Sequence, residues 1–144
     1  MKQLFLAALI ASSLVGCASV PMGDPQQDAA LKTFTAPQGK SGVYIYRNES
    51  MGASVKMDVA IDGEATGQTA ANTYLYKELT PGKHVISSTA ENTDTLEIDA
   101  KPGILTYVWQ EVKMGVLYAR NKLHLVSDDE GKKGVLETKL AVSK

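Results

Sequence analysis

Two histidines, His84 and His124, are the first places at which this 144-residue chain could hold a metal or move a proton. A zinc site needs several Cys, His or acidic ligands converging at characteristic spacings. His84 follows Pro81-Gly82-Lys83 and His124 stands between Leu123 and Leu125; neither has a cysteine, a second histidine or an acidic residue at ligand spacing. The serines form no G-x-S-x-G elbow and no S-x-x-K pair, and the glycines form neither G-x-G-x-x-G nor a P-loop. Gly63 and Gly67 read as turn glycines that need φ > 0. Asp128-Asp129-Glu130 lacks the alternating oxygen ligands and glycine turn of a calcium loop, and complements a helix N-terminus instead. With no convergent titratable groups, the expectation is a protein that is not an enzyme, with no catalytic residues, no bound metal and no cofactor.

Three aromatic doublets stand out. Tyr44 with Tyr46, Tyr74 with Tyr76, and Tyr107 with Trp109 are each spaced two apart, so within a strand both rings of a pair project from one face. If those strands are neighbours, six rings form a platform suited to a sugar, a peptidoglycan stem or a partner protein. The competing reading, which is favoured, makes the rings core material packed under a helix or the N-terminal segment. Arg47 and Arg120 are expected to be solvated or to pair with acids at strand ends.

The elements that must position these rings are strands. "GVYIYR" (42–47), "SVKMDVAID" (54–62), "NTYLYKEL" (72–79), "KHVISSTA" (83–90), "DTLEID" (94–99), "ILTYVWQEV" (104–112) and "KLHLVS" (122–127) are short and rich in β-branched and aromatic residues. Between them lie the turn signals Asp62-Gly63, Thr80-Pro81-Gly82, Glu91-Asn92-Thr93-Asp94 and Lys101-Pro102-Gly103. The pattern predicts a mainly β protein, an antiparallel sandwich of about seven short strands. Ser127 and Glu130 match a capping box, which predicts a short C-terminal helix over about 128–140 packing through Val135, Leu136 and Leu140. Gly131 and Gly134 would each weaken it by about 1 kcal/mol relative to alanine.

The chain begins with one positive charge, Lys2, and an apolar stretch from Leu4 to Val15. At about 1.5 Å per residue that stretch is far shorter than a hydrocarbon core about 30 Å thick, so it reads as a removable secretory leader. Directly behind it lies Cys17, the one cysteine of the chain. An internal disulfide is excluded, and nothing next to Cys17 would activate a thiolate, although an intermolecular disulfide stays open. "LVGC", Leu14 to Cys17, closely resembles the lipobox of bacterial lipoproteins. That resemblance implies cleavage after Gly16, a diacylglyceryl group on the Cys17 sulfur and a palmitate-type acyl chain on the new amine. Ala18, where retention in the inner membrane would call for aspartate, implies sorting to the outer membrane, facing the periplasm. The organisation expected is a leader over 1–16, a lipidated cysteine and tether over 17–40, and a sandwich domain over 41–144. Within the tether, "DPQQDAALKTF" carries an N-cap aspartate and an N1 proline, and it either docks Leu31 and Phe34 on the domain or stays a disordered spacer.

The formal charge is −1, from 15 Lys and Arg against 16 Asp and Glu, and loss of Lys2 with the leader makes it one unit more negative. Without a basic run there is no footprint for nucleic acid. From "GVYIYR" through "DVAIDGEATGQTAANTYLYKELTPGKHVISS" to "GILTYVWQEVKMGVLYARNKLHLVSDDEG", the chain resembles the bacterial lipoproteins grouped as domain of unknown function 2846. Its middle part is similar to PEGA-like β-sandwich repeats, with their "DG" and "PGxH" turns. The resemblance implies a fold and no activity. Two function classes follow. One is a lipid-tethered binding or structural module contacting an envelope protein or peptidoglycan through a sandwich face or through Lys113-Met114-Gly115. The alternative is a cell-wall hydrolase, or an inhibitor of a foreign enzyme acting through the loop "EVKMGVLYARN".

Overall fold

The computed structural model describes residues 19–144; Cys17, Gly16 and the leader lie outside the described residues. In chain order the elements are α1 (Pro25–Leu31), β1 (Ser41–Arg47), β2 (Met57–Ile61), β3 (Glu64–Thr69), β4 (Thr73–Leu79), β5 (Gly82–Thr89), β6 (Thr93–Ala100), β7 (Leu105–Met114), β8 (Ala119–Val126), α2 (Asp128–Leu136) and β9 (Lys139–Leu140). One sheet has the order β8-β7-β1-β4-β9 and the other β3-β2-β5-β6. All seven expected strands are present. β3 and β9 are additional, and the larger sheet is mixed, because β1 runs parallel to β7 and β4 parallel to β9.

Local chemistry explains the turns. Asp62 and Gly63 both have positive φ, 52° and 80°, which fits the type I′ turn that an Asp-Gly pair adopts in a two-residue hairpin between β2 and β3. Ser127 caps α2 by accepting a hydrogen bond from the Glu130 N–H at 3.3 Å, and Asp24 caps α1 by accepting one from Gln26 at 2.7 Å. α2 is shorter than expected. It stops at Leu136, which is exposed, and Leu140 reaches the core from β9 instead.

Between the sheets lies an aliphatic core including Val43, Ile45, Val59, Leu75, Ile86, Ile98, Val108 and Leu123. Gln110, fully buried in β7, bridges the sheets: its Oε1 accepts from Thr69 at 2.5 Å and its Nε2 donates to Ser88 at 2.6 Å. The opposite face of the larger sheet is also covered, by α1, α2 and Phe34, so the architecture has three layers. β1 therefore shows no burial alternation; every residue from Ser41 to Arg47 is buried.

Of the two readings of the segment before residue 41, docking holds and the flexible spacer does not: Val20 is buried, Met22 pairs with Ala141, and Leu31 and Phe34 pack on the core. Among the described residues the packed structure thus reaches back to Val20. Arg47 is neither solvated nor paired with an acid. It is fully buried, with Nη1 donating to Val55 O at 2.7 Å and Nη2 to Gly52 O at 2.8 Å, because β1 ends inside the sandwich beneath the 48–56 loop. Arg120 is exposed.

Candidate functional site

Strand register brings the three aromatic doublets together. Tyr44 lies opposite Tyr76 on one side and Tyr107 on the other, and Tyr46 lies opposite Tyr74 and Trp109. The six rings share one sheet face in two rows of three. The Tyr44 ring stacks on Tyr107 with centroids 5.2 Å apart and an interplanar angle of 16°, and it meets Tyr76 at 4.8 Å and Phe34 at 5.6 Å. Hydroxyls bond inward to the cover: Tyr44 donates to Leu31 O and Tyr74 to Asp28 Oδ1, both at 2.6 Å. Burial pushes the Tyr46 and Tyr107 phenols up to about 12, aided by Glu130 and Glu137 for Tyr46 and by Asp128 for Tyr107. Burial raises Tyr44 and Tyr74 as well, so all four phenols stay protonated at physiological pH; Tyr44 and Tyr74 use the proton as donors, whereas the buried Tyr107 hydroxyl has no partner among the described residues.

As a face open to an outside ligand, this set does not stand. Tyr44, Tyr46, Tyr74 and Tyr107 are buried, because α1 and α2 lie directly on them. Tyr76 and Trp109 are half-buried at the margins. A cleft of about 220 Å³ beside Trp109, between Asn48 and α2, reaches the edge of the layer. That is smaller than the roughly 300 Å³ at which ligand pockets begin. Two glycines explain the closeness of the cover: at Gly131 a β-carbon would overlap the Tyr107 ring, and at Gly134 the Tyr46 ring.

The histidines have structural partners. His84 Nδ1 lies 2.5 Å from Asp62 Oδ2, and its Nε2 lies 2.7 Å from Thr80 O. Asp62 Oδ1 also accepts from the Val85 N–H at 2.8 Å, so the two side chains tie the β2–β3 turn to the start of β5. Both ring nitrogens face acceptors, which favours the imidazolium. The bonds to Asp62 and Thr80 raise His84 above its ordinary value, and the bonds from Val85 and His84 lower Asp62. Because His84 is raised, its contribution to stability is complete below about pH 6.5, the unfolded value, and is lost as pH rises through the folded value. Asp62 contributes above about pH 3.9 and ceases to as pH falls through its lowered value. His84→Asn is therefore expected to lower the urea midpoint clearly at pH 5.5 and much less at pH 9; equal losses at both would refute the linkage. His124 stacks on Trp109 with centroids 4.9 Å apart and approaches Glu111 at 3.3 Å. Among the described residues no three His, Cys, Asp or Glu side chains are grouped to hold a metal ion.

The surface that differs most from the rest is the turn between β7 and β8. Met114, Val116, Leu117 and Tyr118 are 84%, 89%, 83% and 54% exposed. The turn is built rather than loose. Glu91, in the turn between β5 and β6, accepts through Oε1 from the Leu117 N–H at 2.7 Å and through Oε2 from the Tyr118 N–H at 3.2 Å. Glu91 N in turn donates to Ala119 O at 3.0 Å, and a β-carbon at Gly115 would overlap the Glu91 carboxylate. The loop sequence alone shows the apolar run; its brace, Glu91, stands 26 residues before Leu117 and has no local signal.

The profile of the family described as "Protein of unknown function (DUF2846)" matches residues 37–121. The chain belongs to this family. The DUF2846 match takes in β1 to β7, the β7–β8 turn and the start of β8, and leaves the helical cover outside it. An "Uncharacterized protein" of Haemophilus influenzae (strain ATCC 51907 / DSM 11121 / KW20 / Rd) is 38% identical over 149 residues, covering 99% of this chain and 88% of the relative's. The likeness to that protein thus extends beyond the DUF2846 span into α2 and the N-terminal segment.

Proposed function

We propose that this DUF2846 protein is a lipid-anchored, non-catalytic module of the bacterial envelope, attached through Cys17 to the outer membrane on its periplasmic side, that contacts another envelope component. One observation carries the reading. "LVGC" directly follows an apolar leader-like stretch, and the folded domain begins almost at once after it, with Val20 already buried. A lipid on Cys17 would hold the domain against the membrane with no spacer, as a module working at that surface requires. Non-catalytic action is supported by how the titratable groups are used: His84 and Asp62 brace a turn, and the buried phenols hold the helical cover. The partner would be an envelope protein or peptidoglycan meeting an exposed sandwich face, such as the outer face of the smaller sheet around Val85.

Cys17→Ser tests the anchor. Each buried CH₂ of an acyl chain contributes about 0.8 kcal/mol, so two or three chains make attachment effectively permanent. The variant should leave the membrane fraction or accumulate with its leader attached. Processed Cys17→Ser protein that still sediments with outer membranes would overturn the reading.

A further inference from the structure

We propose that the β7–β8 hairpin tip, Met114 to Tyr118, inserts into the surface of the bilayer, giving the domain a second point of attachment beside its anchor; this rests on the lipid-anchor reading above.

The position of the tip is set by strand register. β7 runs parallel to β1 with Trp109 beside Tyr46, so Glu111 to Met114 extend past Arg47, the last residue of β1. Four further residues at about 3.3 Å each carry the hairpin roughly 13 Å beyond that end. β4 starts at the same end, since Thr73 lies opposite Arg47. Ser19, the first described residue, lines a recess with Ala70, Ala71, Asn72 and Thr73, and so leaves the domain at that end as well. β7 and β4 are separated only by β1, about 10 Å at ordinary strand spacing. Only Ala18 separates Cys17 from Ser19, a span of two residue steps or at most about 7 Å. An acylated Cys17 would therefore bring the bilayer to the end of the sandwich from which the tip projects.

The chemistry of the tip fits lipid. Its four apolar side chains are exposed, and the loop backbone that presents them is held by Glu91. Tyr118 is the kind of amphipathic ring that settles at the headgroup level. Arg120 and Lys122 are exposed along the stem, where they suit anionic headgroups, while Lys113 pairs with Glu111 at 3.3 Å. Two of the nearby acids are committed: Glu91 to the loop N–H groups, and Glu111 to Lys113 and His124; Glu49 lies by Val112 at the hairpin base, away from the tip. Met51, also exposed, projects from the 48–56 loop, whose Gly52 packs near Val112 and Ala119 at the hairpin base.

The test uses the mature acylated protein in vesicles of phosphatidylethanolamine and phosphatidylglycerol. With Cys17 acylated, Leu117→Cys supplies the one free thiol for a nitrobenzoxadiazole label, and Val85→Cys, an exposed position on the smaller sheet, supplies the control. Label at 117 should shift to the blue and be quenched several-fold more by chain-brominated lipid than label at 85. Adding Val116→Asp to Leu117→Cys should abolish the difference. Equal quenching at the two positions in protein whose mass confirms acylation would overturn the insertion and leave the anchor standing. Shielding at 117 in native outer membranes but not in pure lipid would overturn it in favour of a protein occupant. A mass without lipid on Cys17 would remove the anchor reading and this proposal together.

Discussion

Alanine in place of Gly134 is expected to destabilise the protein by about 2–3 kcal/mol, although alanine is the better helix former by about 1 kcal/mol. Helix propensity and packing predict opposite signs here, so the measurement discriminates between them. The added β-carbon would fall on the Tyr46 ring, which is buried between β4 and β7 and has no room to withdraw. Gly131 presents the same problem over Tyr107. The double variant Gly131→Ala/Gly134→Ala should lift α2 from the sheet and cost about 3 kcal/mol or more, with faster amide exchange across 128–136. Tyr46→Leu placed in the Gly134→Ala background should recover part of the loss, a coupling that a helix-propensity effect would not produce. Stabilisation by Gly134→Ala in urea unfolding would mean that the helix rides higher on the rings than the structure places it.

The reason such positions resist reading from sequence is that they are set by distant partners. Period-two alternation with Asp-Gly and Pro-Gly turns made seven strands legible, since both signals are local. β3, "EATGQT", has little β-branched or aromatic content and is an edge strand held by its pairing with β2; β9 is two residues long and exists through Tyr74 and Thr73. The parallel partnership of β1 and β7 joins residues more than 60 positions apart, and nothing in either strand specifies the direction of its neighbour. For the aromatic doublets, spacing alone placed each pair on one face. Whether that face met water depended on α1 and α2, whose docking is fixed by Gly131, Gly134, Tyr44 and Tyr74 acting across the fold. The apolar "MGVLY" turn was visible as a run, whereas the carboxylate that holds it open comes from the other sheet's hairpin. The anchor reading of Cys17 rests on its immediate neighbours alone, and Cys17 lies outside the described residues.

Arg47→Met is expected to cost about 2–4 kcal/mol and to loosen the 48–56 loop, a balance of two opposing effects. Removing a guanidinium that lies fully buried, with no carboxylate within 4 Å among the described residues, relieves a desolvation penalty large enough to push its ionisation below the ordinary arginine range. Against that gain stand three backbone carbonyls. Val55 O and Gly52 O would lose short, charge-assisted bonds, and Thr69 O a longer one of 3.4 Å. A buried carbonyl without a donor costs about 1–3 kcal/mol, and the 48–56 loop can recover part of it only by turning outward to water. That movement would carry Gly52 away from Val112 and Ala119, at the base of the β7–β8 hairpin. The loss should therefore appear in two places: a lower urea midpoint, and faster amide exchange in both the 48–56 loop and residues 112–119. Arg47→Lys keeps the charge but cannot span carbonyls on both sides with a planar fork, so it should rescue little. A neutral or stabilised Arg47→Met would show instead that burying the charge costs more than its three bonds return.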